Sequence, residues 1–143
     1  MSNLELFMKG NKKQKSNTFY PVTKSLTDEN GKPLEWEIRP ITTKEDEQIR
    51  DLCTKEVQVP GKRNQYRIKI DANLYMIKQL AASVVFPNLY DAKLQDSYGV
   101  KTPEDLLREM VDDPTEFAEF ASFVREFNGF DETINDAVEE AKN

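Results

Sequence analysis

Histidine is absent from this 143-residue chain, and cysteine occurs once, at Cys53. The first absence removes the usual general base of nucleophilic triads and the commonest zinc ligand. With one thiol, neither an internal disulfide nor a thiolate–imidazole metal site can be built. Cys53 shares an apolar helix face with Ile49 and Leu52, which marks it as a buried structural thiol suited to a reducing cytoplasm. Glycine is scarce too: none of the five falls in a G-x-G-x-x-G or G-x-x-x-x-G-K-[ST] arrangement, so there is no phosphate cradle. No apolar run approaches the roughly 20 residues needed to cross a bilayer, and the N-terminus has no signal-peptide core. Carboxylates are plentiful, yet they do not assemble into a site. Capping accounts for Asp113 and Glu116, Asp112 beside them follows no calcium-loop spacing, and Glu139 and Glu140 lie on a solvated helix face. The expectation is a cytoplasmic protein that is not an enzyme, spans no membrane and holds no metal or cofactor.

What the chain has in quantity is charge, unevenly placed. Residues 1–101 carry 17 Lys/Arg against 13 Asp/Glu, whereas residues 102–143 carry 3 against 13. An acidic C-terminal third therefore joins a mildly basic remainder. Acid repels phosphate backbones, which argues against nucleic acid there, and it suits solubility or a basic protein partner. A hydrophobic fraction of 38% and a mean hydropathy of -0.72 describe an adequate core under a well-solvated surface. The length fits a single domain.

Along the chain, Leu4, Phe7 and Met8 make one amphipathic turn before Gly10, followed by the polar, basic run NKKQKSN. Residues 1–16 thus read as a flexible arm: a frayed terminus, or a short docking element that needs a surface to bury against. Residues 17–70 read as a β-containing part with one helix. TFYPVTKSL and LEWEIRPI are rich in β-branched and aromatic residues, with the hairpin signal Asn30-Gly31 between them. Leu34, Trp36 and Ile38 alternate with charged neighbours, so one face is expected inside. Thr42 opens a helix with Ile49, Leu52 and Cys53 inward, and YRIKI is a third short strand or an extended lead-in. Lys62, Arg63, Arg67 and Lys69 form a basic patch around it.

Residues 71–143 read as helical. Asp71 caps ANLYMIKQLAASVVF, whose apolar residues cover so much of the wheel that it is expected to be the central element, stopped by Pro87. Asp91–Tyr98 is a short helix ended at Gly99. Thr102-Pro103 and Asp113-Pro114 then open the two helices of a hairpin over residues 103–130. Phe117, Phe120, Ala121, Val124 and Phe127 form the stripe of the second helix, which Asn128-Gly129 ends with Phe130 folding back. Asp131 caps a last helix, ETINDAVEEA. The predicted class is α+β: a small N-terminal β-hairpin or sheet packed with a mostly helical C-terminal half.

The run NLYDAKLQDSYGV, then PEDLLREM, then the helix ending in FNGFD, resembles the tail assembly chaperones of contractile-tailed phages and PBSX-type prophages, the XkdN-like family. The resemblance continues through INDAVEEAKN to the last residue. One departure is the start of the long helix, where Asp113-Pro114-Thr115-Glu116-Phe117 stands in place of a Pro-Gly-Glu-Tyr-like turn. The resemblance implies a protein that binds the long, aggregation-prone tape measure protein and keeps it soluble while tail tube subunits polymerise around it. The tail tube protein is a second implied partner, and no cofactor is implied. Such families often add a longer product made by ribosomal frameshifting, and Ala141-Lys142-Asn143 is compatible with a slip site. The residues alone keep a second reading open, a small acidic regulatory or DNA-mimicking protein that binds another protein. Self-association stays open as well.

Five of the eight phenylalanines fall between Phe117 and Phe130. Phe123 lies roughly 80° from the centre of the stripe, beside Glu116 and Glu119. It is either core at the stripe's margin or an exposed aromatic rimmed by acid, as a contact for an amphipathic partner helix would be. The candidate partner-binding residues are Phe117, Phe123, Glu116, Glu119 and Phe130, together with Leu4, Phe7 and Met8 of the arm.

Overall fold

The computed structural model describes residues 3–129. Phe130, the helix expected after Asp131 and the Ala141-Lys142-Asn143 end lie outside the described residues. The architecture is α+β, with N-terminal strands and C-terminal helices.

Strands β1 (Thr18–Tyr20) and β2 (Trp36–Ile38) pair antiparallel, Tyr20 opposite Trp36. Between them the chain closes a small loop at Thr27 and Pro33, where Gly31 takes the positive φ of 82° that the Asn-Gly signal foretold. Trp36 and Ile38 are buried, as the alternation requires, but Leu34 is exposed because it precedes the paired segment. Helix α2 (Thr43–Leu52) starts in a reciprocal capping box between Thr42 and Glu45. Ile49 and Cys53 face inward, while Leu52 points to solvent, 69% exposed. Strands β3 (Thr54–Gln58) and β4 (Tyr66–Ile70) then form a separate antiparallel hairpin, so YRIKI is a strand.

Helix α3 (Ala72–Ser83) is capped by Asp71 and touches α2, α5, α6 and β5, the central position expected of it. It stops three residues before the expected end. Val84–Phe86 is strand β5, paired with β2 to complete a sheet of order β1-β2-β5. Two β-branched residues and the extended bias before Pro87 favour the strand, and Ser83 supports the break by accepting from the Arg39 N–H at 2.8 Å. Val85 and Phe86, expected on the inner helix face, are consequently exposed.

Three further helices follow: α4 (Ala92–Ser97), α5 (Pro103–Met110) and α6 (Pro114–Asn128). Their caps are Asp91, Thr102 and Asp113, the last two as read from the sequence, whereas Asp91, expected as the first residue of its helix, stands just before it; Gly129 ends α6 at φ 76°. One apolar cluster joins Val22, Trp36 and Ile38 of the β part to Ile77, Leu80, Leu106, Leu107, Phe120 and Val124 of the helices. The sheet covers one side of α3 and α6, which leaves the outer face of α6 and the β3–β4 hairpin as surfaces.

Candidate partner-binding surfaces

Helix α6 carries four of the sequence-derived candidates, and the structure gives each a different task. Glu116 sits at the capping-box position but does not reach back to the cap. Its carboxylate accepts from the Thr23 hydroxyl at 2.7 Å and from the Lys24 N–H at 2.8 Å, tying the start of α6 to the chain after β1. Asp113 already satisfies the first amides of the helix, at Thr115 and Glu116, which frees Glu116 for this longer reach. Thr23 is fully buried, so the bond satisfies a hydroxyl that solvent cannot reach.

Phe123 is half-buried. Its ring stacks on Tyr20 with centroids 4.1 Å apart, and the Phe127 ring lies parallel to it at 6.1 Å. The Lys15 ammonium sits 4.3 Å above Phe127, so the basic run of the arm closes the end of this stack. Glu119 is exposed beside it. Burial is the main cause that raises the Tyr20 phenol above its ordinary value, and the nearby Glu119 and Glu116 charges add to it. The stack is thus an aromatic ledge with an acidic rim, its inner edge built into the sheet.

Phe117 faces the opposite side of α6. With Met76, Val111, Pro114, Ala118 and Ala121 it lines a groove of about 520 Å³ between the end of α5 and α6. Arg108, Glu109, Asp112 and Arg125 rim the groove. The Arg125 Nε is buried without a hydrogen-bond partner among the described residues. An apolar floor with a mixed-charge rim can accept an amphipathic segment.

At the N-terminus, helix α1 (Asn3–Leu6) is a four-residue turn followed by a 3-10 turn at Lys9–Asn11. Leu4, Phe7 and Met8 are all exposed, Phe7 at 86%, and none of them touches the apolar cluster. The structure therefore brings Glu116, Glu119 and Phe123 together, puts Phe117 on another face, and leaves Leu4, Phe7 and Met8 apart.

Sequence reasoning missed the β3–β4 hairpin as a surface. Its register places Tyr66, Ile68 and Ile70 on one face with Gln58, Glu56 and Thr54, all exposed, Ile68 at 74%. The opposite face carries Lys55 directly across from Lys69, with Arg67 across from Val57. The alternation of YRIKI was the available signal.

Elsewhere the polar contacts are structural. Arg39 and Glu45 form a bidentate pair, with the first bond at 2.8 Å. That guanidinium, with the Thr42 N–H and hydroxyl, lowers the Glu45 carboxyl to about 2 against the opposing effect of burial. Asp46 accepts from Tyr75, Gln79 and Arg50, joining α2 to α3. Among the described residues no three His, Cys, Asp or Glu side chains gather as metal ligands, and no helix is long and apolar enough to cross a membrane.

The sequence model of the family described as phage XkdN-like tail assembly chaperone protein matches residues 4–142. Two proteins of Bacillus subtilis (strain 168) are each 25% identical over 141 residues, spanning 98% of this chain and 93% of theirs. One is the phage-like element PBSX protein XkdN, the other the uncharacterized protein YqbN. The crystal structure of YqbN superposes with a TM-score of 0.75 at 18% identity, covering 91% of this chain and 98% of that one, which is a likeness of fold.

Proposed function

Since this chain belongs to the phage XkdN-like tail assembly chaperone family, we propose that it binds the tape measure protein and keeps it soluble while the tail tube assembles around it. The observation that carries the reading is the family match from residue 4 to residue 142, nearly end to end. Holding an amphipathic helix requires an apolar groove with a polar rim and no bond chemistry, so the proposed role is non-enzymatic and uses no cofactor. The 520 Å³ groove beside Phe117 and the ledge around Phe123 have that make-up. Contact with the tail tube protein belongs to the same proposal. So does a place in the cytoplasm of the bacterial host, where tails are built.

The test is co-purification. A tagged chain expressed with the tape measure protein of the same phage should retain that protein on the affinity resin through a moderate-salt wash. Retention of tail tube protein alone, or of neither, would overturn the reading.

A further inference from the structure

The β3–β4 hairpin presents a combination that folding does not explain. A two-stranded hairpin alone is marginal in water and is normally steadied by packing one face on a core. Here both faces of β4 are exposed, including Tyr66, Ile68 and Ile70. On the other face Lys55 stands directly opposite Lys69, a like-charge pair that weakens the hairpin. Among the described residues neither lysine nor Arg67 forms an ion pair. Outside its pairing with β3, the edge of β4 pairs with no described strand.

Cations on an edge strand commonly serve to keep other strands away. Against a second copy they would do so here, because antiparallel pairing of β4 with itself about Ile68 sets Arg67 of each copy opposite Lys69 of the other. Against an acidic strand the same charges attract. We propose that β4 is a docking edge for an extended segment of a partner protein in which apolar and acidic residues alternate. Added beside β4, such a segment continues the Tyr66-Ile68-Ile70 row with its apolar side chains. Its carboxylates fall on the other face beside Arg67 and Lys69, which also relieves the Lys55–Lys69 repulsion. One geometry thus uses both faces, and the alternation of the strand selects the alternation of the ligand. The inference does not depend on which tail protein the chain chaperones.

The full chain, isotope-labelled, is titrated with an eight-residue peptide alternating valine and glutamate, and separately with one alternating valine and lysine. The glutamate peptide should shift the amide resonances of residues 66–70, and the lysine peptide should not. Arg67→Glu with Lys69→Glu should weaken the glutamate peptide about tenfold and admit the lysine peptide. Ile68→Thr, which keeps a strand-forming residue, should weaken the glutamate peptide without changing the charge preference. Equal response to both peptides, shifts confined to residues 114–128, or no shift at millimolar peptide would each overturn the proposal. So would concentration-dependent shifts at residues 66–70 without peptide, which would make a second copy the occupant.

Discussion

Glu116 offers the sharpest separation between a residue that holds the fold and one that meets a partner. Replacing it with alanine removes the carboxylate that accepts from the Thr23 hydroxyl at 2.7 Å and the Lys24 N–H at 2.8 Å. Bonds to a charged acceptor contribute about 1.5–3 kcal/mol each. The Lys24 amide is exposed and regains water, and Thr23 keeps a contact with Ser25 at 2.8 Å. The expected loss is therefore about 1–3 kcal/mol, less than two full bonds. For a chain of this length that lowers Tm by roughly 3–9 °C. Glu119→Ala, one helical turn on and exposed, should stay within about 0.5 kcal/mol. Urea midpoints of both variants, with a Thr23→Val cycle to isolate the pair, make the assay. If Glu116→Ala proves no worse than Glu119→Ala, or the cycle shows no coupling, the tie between α6 and the chain after β1 contributes nothing and the reasoning fails.

Phe120→Ala should cost more, roughly 3–5 kcal/mol, because the ring is fully buried between Tyr20 and Trp36; an unchanged denaturation midpoint would show the core is elsewhere. Gly129→Ala should cost about 1 kcal/mol from backbone conformation alone, since an added Cβ meets nothing within 4 Å at φ 76°. The Glu45 carboxyl is lowered in the fold from 4.5 to about 2, so its contribution is fully present above pH 4.5 and is lost as pH falls from there toward 2. With side chains about a third exposed, that loss is about 1–2 kcal/mol after screening, and Glu45→Gln should flatten the acid limb of a pH–stability curve. Lys69→Glu should leave stability unchanged or raise it by about 0.2–1 kcal/mol, because the new carboxylate faces Lys55.

Helix starts were legible because their signals are local. Thr42, Asp71, Thr102 and Asp113 each cap the helix their spacing announced. The end of α3 was not, because Val84–Phe86 continues the apolar pattern and only pairing with β2 decides against the helix. Leu52 shows the same limit: apolar spacing placed it inside, but its side of α2 receives no covering element. Tertiary geometry also redirected two site residues. Glu116 has the right offset for a capping box, yet a buried hydroxyl 93 positions away claims its carboxylate. Phe123 was open to two readings and satisfies part of each, since Tyr20 buries one side of its ring and leaves the acidic side wet. A substitution such as Phe123→Asp therefore removes packing as well as any partner contact, and Glu119 is the cleaner probe of that rim.

Sedimentation of the tape measure protein after expression with and without this chain tests the central claim most directly. The account predicts that the tape measure protein pellets when made alone and stays in the supernatant, bound to the chain, when the two are made together. A tape measure protein that partitions the same way in both cases would contradict it.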